Sequence, residues 1–193
     1  MKSFCVSFLL VLTTFCVASV AQNRATINFD LQPDSGESSG YTSSTRSAVV
    51  KNGNKSAMAR ASIVEREVFA RINAERLKND LPELEWSENV AAVARLHSQD
   101  MAREKFFSHR GSDGSMVDDR ADRMGLGVWR SIGENIAYMR GFDDPAGLAV
   151  SKWLQSAAHR KNLLGPNWKE SAVGVSITAD GTYYVTEVFL LRK

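Results

Sequence analysis

A chain of 193 residues with 24 Lys and Arg against 22 Asp and Glu carries a formal charge of only +2, and 44% of its residues are hydrophobic. So even a balance gives no field to draw nucleic acid or an anionic membrane as the main partner. Its two cysteines are too few for a disulfide-stapled scaffold, so a packed core must hold the fold.

The first residues, Met1-Lys2 followed by the apolar run Phe4 to Leu12 and small residues at Ser19-Val20-Ala21, have the layout of a secretory signal peptide over residues 1–21. Thr13, Thr14 and Ser19 interrupt the run before it reaches the roughly 20 apolar residues a membrane span needs, and no later segment is long enough either. A lipid anchor at Cys16 is disfavoured because Thr13-Thr14-Phe15 lacks the small residues expected before one. Both cysteines, Cys5 and Cys16, fall inside this peptide, and so does Lys2, the single charge there; removing it takes the balance from +2 to +1. An exported chain without cysteine points to a bacterial envelope or extracellular protein. The expected location is therefore the periplasm or the exterior.

Residues 22–57 read as a flexible linker. From Pro33 to Ser56 the chain is rich in Ser, Gly, Thr and Asn, with Tyr41, Val49 and Val50 as its large apolar residues, too few to offset the entropy of ordering. Ala25 to Phe29 could form a strand, but an unstructured segment is the preferred reading. Residues 58–193 have the length of one domain.

That domain opens with Ser62-Ile63-Val64-Glu65, a capping-box pattern, and with Val68, Phe69, Ile72 and Leu77 on one helical face. Leu81 to Trp86 is a loop ending at Ser87, an N-cap for a second helix whose apolar stripe Val90, Val93, Ala94 and Met101 includes His97. Gly111 to Gly114 is a loop, and Met116 to Met124 a short helix stopped by Gly125. Ser131 to Tyr138 is a strand or an irregular buried segment. Asp144-Pro145 then starts a long helix running to about His159. Val173 to Thr178 and Tyr183 to Leu191 alternate around Asp180-Gly181 as a β-hairpin. Helices first and strands last imply an α+β layered domain with an antiparallel sheet covered by helices.

Within it, Ile132-Gly133-Glu134-Asn135-Ile136-Ala137 sets one carboxylate in an apolar run, where it requires donors or cations. The three histidines, His97, His109 and His159, bracket that run. At least two of them are expected to meet Glu134 in one cleft. Two imidazoles and a carboxylate suit a divalent metal such as Zn²⁺, so His109, His159 and Glu134 are candidate ligands. They serve equally as a hydrogen-bonded network fixing loops. General acid/base work by Glu134 with a histidine is a third reading, whereas Ser108 next to His109 lacks the setting of an activated nucleophile. His97 on its apolar face reads first as a core histidine, and Asn135 as an anchor for the run.

Leu96 to Met101, Phe106-Phe107-Ser108-His109, Gly133 to Ala137, Trp153 with His159-Arg160 and Asn162-Leu163-Leu164, and Tyr183 to Thr186 with Phe189 together resemble the CAP superfamily (SCP/TAPS: cysteine-rich secretory protein, antigen 5, pathogenesis-related 1), in its bacterial, cysteine-free branch. The resemblance covers about residues 64–193. It implies a three-layer α-β-α sandwich with an open cleft lined by two histidines and two acids, of which His109, Glu134 and, further on, His159 match. His97 is outside the family's set, though helix spacing brings it near the rear wall. At the position of the second acid stand Gln155 and Ser156, which weakens any mechanism needing two carboxylates. The function implied is a secreted module binding a lipid-like, peptide or cell-wall ligand. The alternatives are a hydrolase of peptide or glycan, metal-assisted or not, and a structural or partner-binding envelope domain.

Overall fold

The structure, a computed structural model, describes residues 25–27 and 48–193. The signal peptide and residues 22–24 and 28–47 of the expected linker lie outside the described residues. The elements run β1 (Ala25–Ile27), α1 (Ala48–Lys78), β2 (Glu85–Trp86), α2 (Glu88–Glu104), α3 (Val117–Arg123), β3 (Trp129–Arg140), α4 (Pro145–Gln155), α5 (Ala157–Leu163), β4 (Glu170–Ile177) and β5 (Thr182–Arg192).

One sheet of order β1-β3-β5-β4-β2 organises them. The hairpin β4–β5 pairs antiparallel, and so does β3 with β5, while β1 and β2 join the two margins in parallel. Because side chains alternate along a strand, the register puts Ala137, Val185 and Val173 on one face. There they pack with Val64, Val68 and Ile72 of α1, Trp153 of α4 and Leu163 of α5. Ile132, Val188, Leu190 and Ala172 point to the other face and meet Val90, Val93 and Ala94 of α2 and Val117 and Ala121 of α3. The result is the α-β-α sandwich, with a separate core on each side of the sheet.

Several expectations change. β1 is a strand, at a place where β3 otherwise leaves the backbone groups of Ser131 to Gly133 unpaired. Glu85-Trp86, read as loop, pairs with Glu170-Ser171 as β2. Helix α1 begins at Ala48, ten residues before the expected boundary at 58, because extending a formed helix adds one hydrogen bond per residue without a new nucleus. Ser62 and Glu65 are thus inside the helix. Glu65 is buried and accepts from Arg95 of α2 and from the Val175 amide at 3.1 Å, so it ties both helical layers to β4. The long helix from Asp144 is two, broken at Ser156, whose backbone is extended (φ −86°, ψ 120°).

Candidate functional site

The strand's alternation sends Gly133-Glu134-Asn135 to two faces of the sheet. A Cβ on Gly133 would lie 3.2 Å from Trp168, so glycine makes room for the indole on the α1 face. Asn135 points to that same face. Its Nδ2 donates to the His159 carbonyl at 3.1 Å, and its Oδ1 accepts from Asn162 Nδ2 at 3.0 Å. Asn162 also donates to the Glu134 carbonyl. Asn135 is the structural anchor expected of it.

Glu134 projects to the opposite face, toward α2 and α3, and is fully buried. Its Oε1 accepts from His109 Nδ1 at 2.7 Å and lies 3.8 Å from His97 Nε2; its Oε2 accepts from Arg120 Nη2 at 2.6 Å. Burial alone would push this carboxyl up, but the Arg120 guanidinium and the His109 N–H outweigh it and hold it below the usual Glu value. The site therefore contains an ionised, paired carboxylate.

His109 is delivered by the turn after α2. Lys105 adopts a left-handed conformation (φ 56°), and its amide and that of Phe106 return to the Met101 carbonyl. Beyond His109 the loop is held by Asp100, which accepts from the Ser112 amide at 2.8 Å and hydroxyl at 2.7 Å. Arg120 completes the hold by donating to the carbonyls of His109 (3.2 Å) and Ser115 (2.9 Å). One guanidinium thus fixes the loop carrying His109 and neutralises the carboxylate that His109 touches.

With a carboxylate oxygen as acceptor, His109 Nδ1 carries a proton. His97 Nε2 faces the Ser108 carbonyl at 2.9 Å, an acceptor, so it too is the protonated nitrogen; its Nδ1 is buried with no hydrogen-bond partner among the described residues. Desolvation lowers the His97 value further than Glu134 raises it, so the ring is neutral. His97 is a core residue of α2. His109, 5% exposed, is the member of this group that reaches solvent most. On the same face of the sheet as Glu134 runs an aromatic shelf, with Phe107 and Tyr138 ring centroids 6.0 Å apart and Tyr138 and Tyr184 5.1 Å apart.

The expected trio of Glu134, His109 and His159 is brought together only in part. His159 is fully buried in α5, in the helical layer on the other face, and joins the site through its carbonyl on Asn135. The described partners of the Glu134 carboxylate are instead His109, His97 and Arg120. Arg120 escaped the sequence reading, although its position three after Val117 and one before Ala121 puts it on the buried stripe of α3, where an arginine demands an anion. Gln155 ends α4 exposed, donating to Ser151 Oγ at 3.2 Å, and Ser156 is the break that follows. For a metal the donor set does not fit. Both Glu134 oxygens already hold donors, one a guanidinium, and among the described residues no group of three His, Cys, Asp or Glu side chains is placed to bind an ion.

The sequence and the fold both have known relatives. The chain is 38% identical over 128 residues to an uncharacterised membrane protein of Bacillus subtilis, YlbC, and 35% identical over 123 residues to an uncharacterised protein, YkwD, of the same organism. These matches cover 66% and 64% of this chain, but 34% and 46% of those proteins, so the chain spans less than half the length of either relative. Among solved structures, an extracellular protein containing an SCP domain from Bacillus anthracis aligns with a TM-score of 0.59 at 32% identity, over 69% of this chain and 41% of its own. An outer surface protein from Borrelia burgdorferi shares the fold at a TM-score of 0.58 and 20% identity, over 65% of this chain and 90% of its own. Among the described residues no helix is long and apolar enough to cross a membrane. Residues 69–189 match the profile of the cysteine-rich secretory protein family, CAP, and with the sandwich and the Glu134 site inside that span, the chain belongs to this family.

Proposed function

We propose that this protein is a secreted CAP domain that binds an extracellular ligand, lipid-like, peptide or cell-wall fragment, over His109 and the aromatic shelf of Phe107, Tyr138 and Tyr184. Glu134 serves as the charge that positions His109, and His159 holds the back of the Gly-Glu-Asn run through Asn135. The observation that carries this reading is the saturation of Glu134: a buried carboxylate already paired with Arg120 and His109 is a poor proton donor or base and a good anchor. A Zn²⁺ centre at Glu134 gains no support, because the ion would have to displace Arg120. The signal-peptide layout and the extracellular and outer-surface descriptions of the two solved relatives support export.

A hydrolase remains the second reading, on one observation. A carboxylate on His109 Nδ1 orients the imidazole ring as a general base requires. No second acid stands at Gln155 or Ser156 to complete acid/base chemistry.

The test is to secrete the full chain from a host, extract it with organic solvent and with acid, and identify co-purified molecules by mass spectrometry. Binding over His109 predicts a ligand retained by the native chain and lost by His109→Ala with the fold intact. Equal retention by both proteins would remove His109 from the ligand site, and turnover of a peptide or glycan abolished by His109→Ala would replace the binding reading with the hydrolytic one.

A further inference from the structure

A cavity of about 360 Å³ opens on the opposite side of the molecule's sheet from Glu134, between the start of β3 and the turn joining α5 to β4. That volume falls within the range of small-molecule sites, roughly 300–1,000 Å³. Its charged lining is Arg130 and Lys161, both exposed, and no carboxylate lines it. Neither cation is engaged in an ion pair or side-chain hydrogen bond among the described residues. Ser131 and Asn167 add a hydroxyl and an amide, while Pro166, Trp168 and Leu191 supply the apolar wall.

Two features build this cavity. The β3–β5 register slips between Trp129 and Ser131, so Arg130 is the extra residue of a bulge, a device that turns a side chain out of the ladder. The opposite wall is pinned from within. Buried Arg76 donates through Nη1 to the carbonyls of Leu163 and Gly165, both at 2.9 Å, and Trp168 Nε1 donates to the Asn162 carbonyl at 2.9 Å. A Cβ on Gly165 would sit 2.5 Å from Trp168 Nε1, so the turn lies directly on the indole. A wall held in this way loses little entropy when a ligand arrives.

We infer that this cavity is a binding site for a small organic anion, a carboxylate or phosphate on a ring or short apolar body, gripped by Arg130 and Lys161 and resting on Trp168 and Pro166. Two unpaired cations with neutral donors and no acid select negative charge, and the apolar wall selects a body rather than a bare ion. The site lies on the other face of the sheet from the Glu134 carboxylate and His109, and Asn162, which accepts from Trp168 and donates to the Glu134 carbonyl, links the two through the backbone of the run.

The full chain is titrated with phenyl phosphate, benzoate, benzyl alcohol and inorganic phosphate, followed by the Trp168 indole N–H resonance, assigned with Trp168→Phe, and by calorimetry. The expected result is binding of phenyl phosphate or benzoate with a shift at Trp168, and the tighter of the two identifies the anionic group. Arg130→Gln and Lys161→Gln, both at exposed positions, should each weaken it about two- to fivefold, as for exposed charge pairs. Arg130→Glu combined with Lys161→Glu should abolish it. The inference is overturned if benzyl alcohol binds as well as the anions, if inorganic phosphate binds as tightly as phenyl phosphate, if no probe shifts Trp168, or if the double charge reversal leaves binding unchanged.

Discussion

Arg120 and Glu134 form the pairing on which the site stands, and each is costly to remove alone. Arg120→Ala leaves a buried carboxylate without its cation and frees the His109 loop, so a loss of roughly 3–5 kcal/mol is expected by denaturant unfolding. Because the Glu134 value is depressed in the folded state, its contribution is complete above the ordinary Glu value and is lost as pH falls through the lower folded one. Glu187 behaves in the opposite sense. Buried on β5, with Ser171 Oγ donating to it at 3.0 Å, its carboxyl is pushed well above the usual value by desolvation, against the pull of Ser171 and Arg76. It keeps its proton after the unfolded chain has released one, so stability falls as pH rises from the ordinary carboxylate range to the folded value. Glu187→Gln should flatten that slope, seen as a wild-type minus variant difference in unfolding free energy that shrinks and then reverses as pH rises toward neutrality. At this scale Glu134 and His109 were legible as an apolar-run carboxylate and a histidine near it. Arg120, Arg76 and Glu187 were not, because charged residues on half-polar helices and strands look like solvent-facing ones until the layers close over them.

At the scale of elements, the strand alternation of β3 explains why one tripeptide serves two sides of the sheet, and why His159 is structural to the run while His109 touches its carboxylate. Close approach governs the α2 layer. A Cβ at Gly174 would lie 2.2 Å from the Arg95 amide nitrogen and 2.3 Å from the Ala94 carbonyl carbon, so Gly174→Ala must push α2 away from β4. The expected cost is about 1–3 kcal/mol or more, measured by unfolding, with the His97 and His109 resonances displaced because both hang from α2. At the other end Asp144 Oδ1 accepts from the Gly147 amide at 2.9 Å as the N-cap of α4, and Asp144→Ala should cost about 1 kcal/mol. The N-cap at Asp144, the loop at 111–114 and the hairpin were readable because each is a local pattern, whereas the capping box read at Ser62 and Glu65 falls inside α1. The break at Ser156 and the pairings of β1 and β2 were not: Ser156 sits in a sequence with adequate helix propensity, and two- or three-residue edge strands exist only through the partner strands they meet.

For the whole molecule, the sheet both separates two cores and joins them, since β3, β5 and β4 contribute side chains to each. Order of elements and alternation sufficed for the layered α+β class, and the five spaced motifs for the family, because both are written in apolar periodicity and chemistry-bearing residues. What sequence alone left open was which histidine faces which side. A filled, guanidinium-paired carboxylate also sets an expectation for metal: Zn²⁺ in large excess should leave the melting temperature and the His97 and His109 resonances unchanged, whereas a bound ion would raise the melting temperature with concentration. The most direct measurement of the account is a pH titration of the Glu134 side-chain carboxyl carbon by NMR in the full chain, assigned with Glu134→Gln. The account predicts an ionised signal that persists below the ordinary Glu value of about 4.3, after exposed carboxylates have taken up protons; a Glu134 that titrates above that value would contradict it.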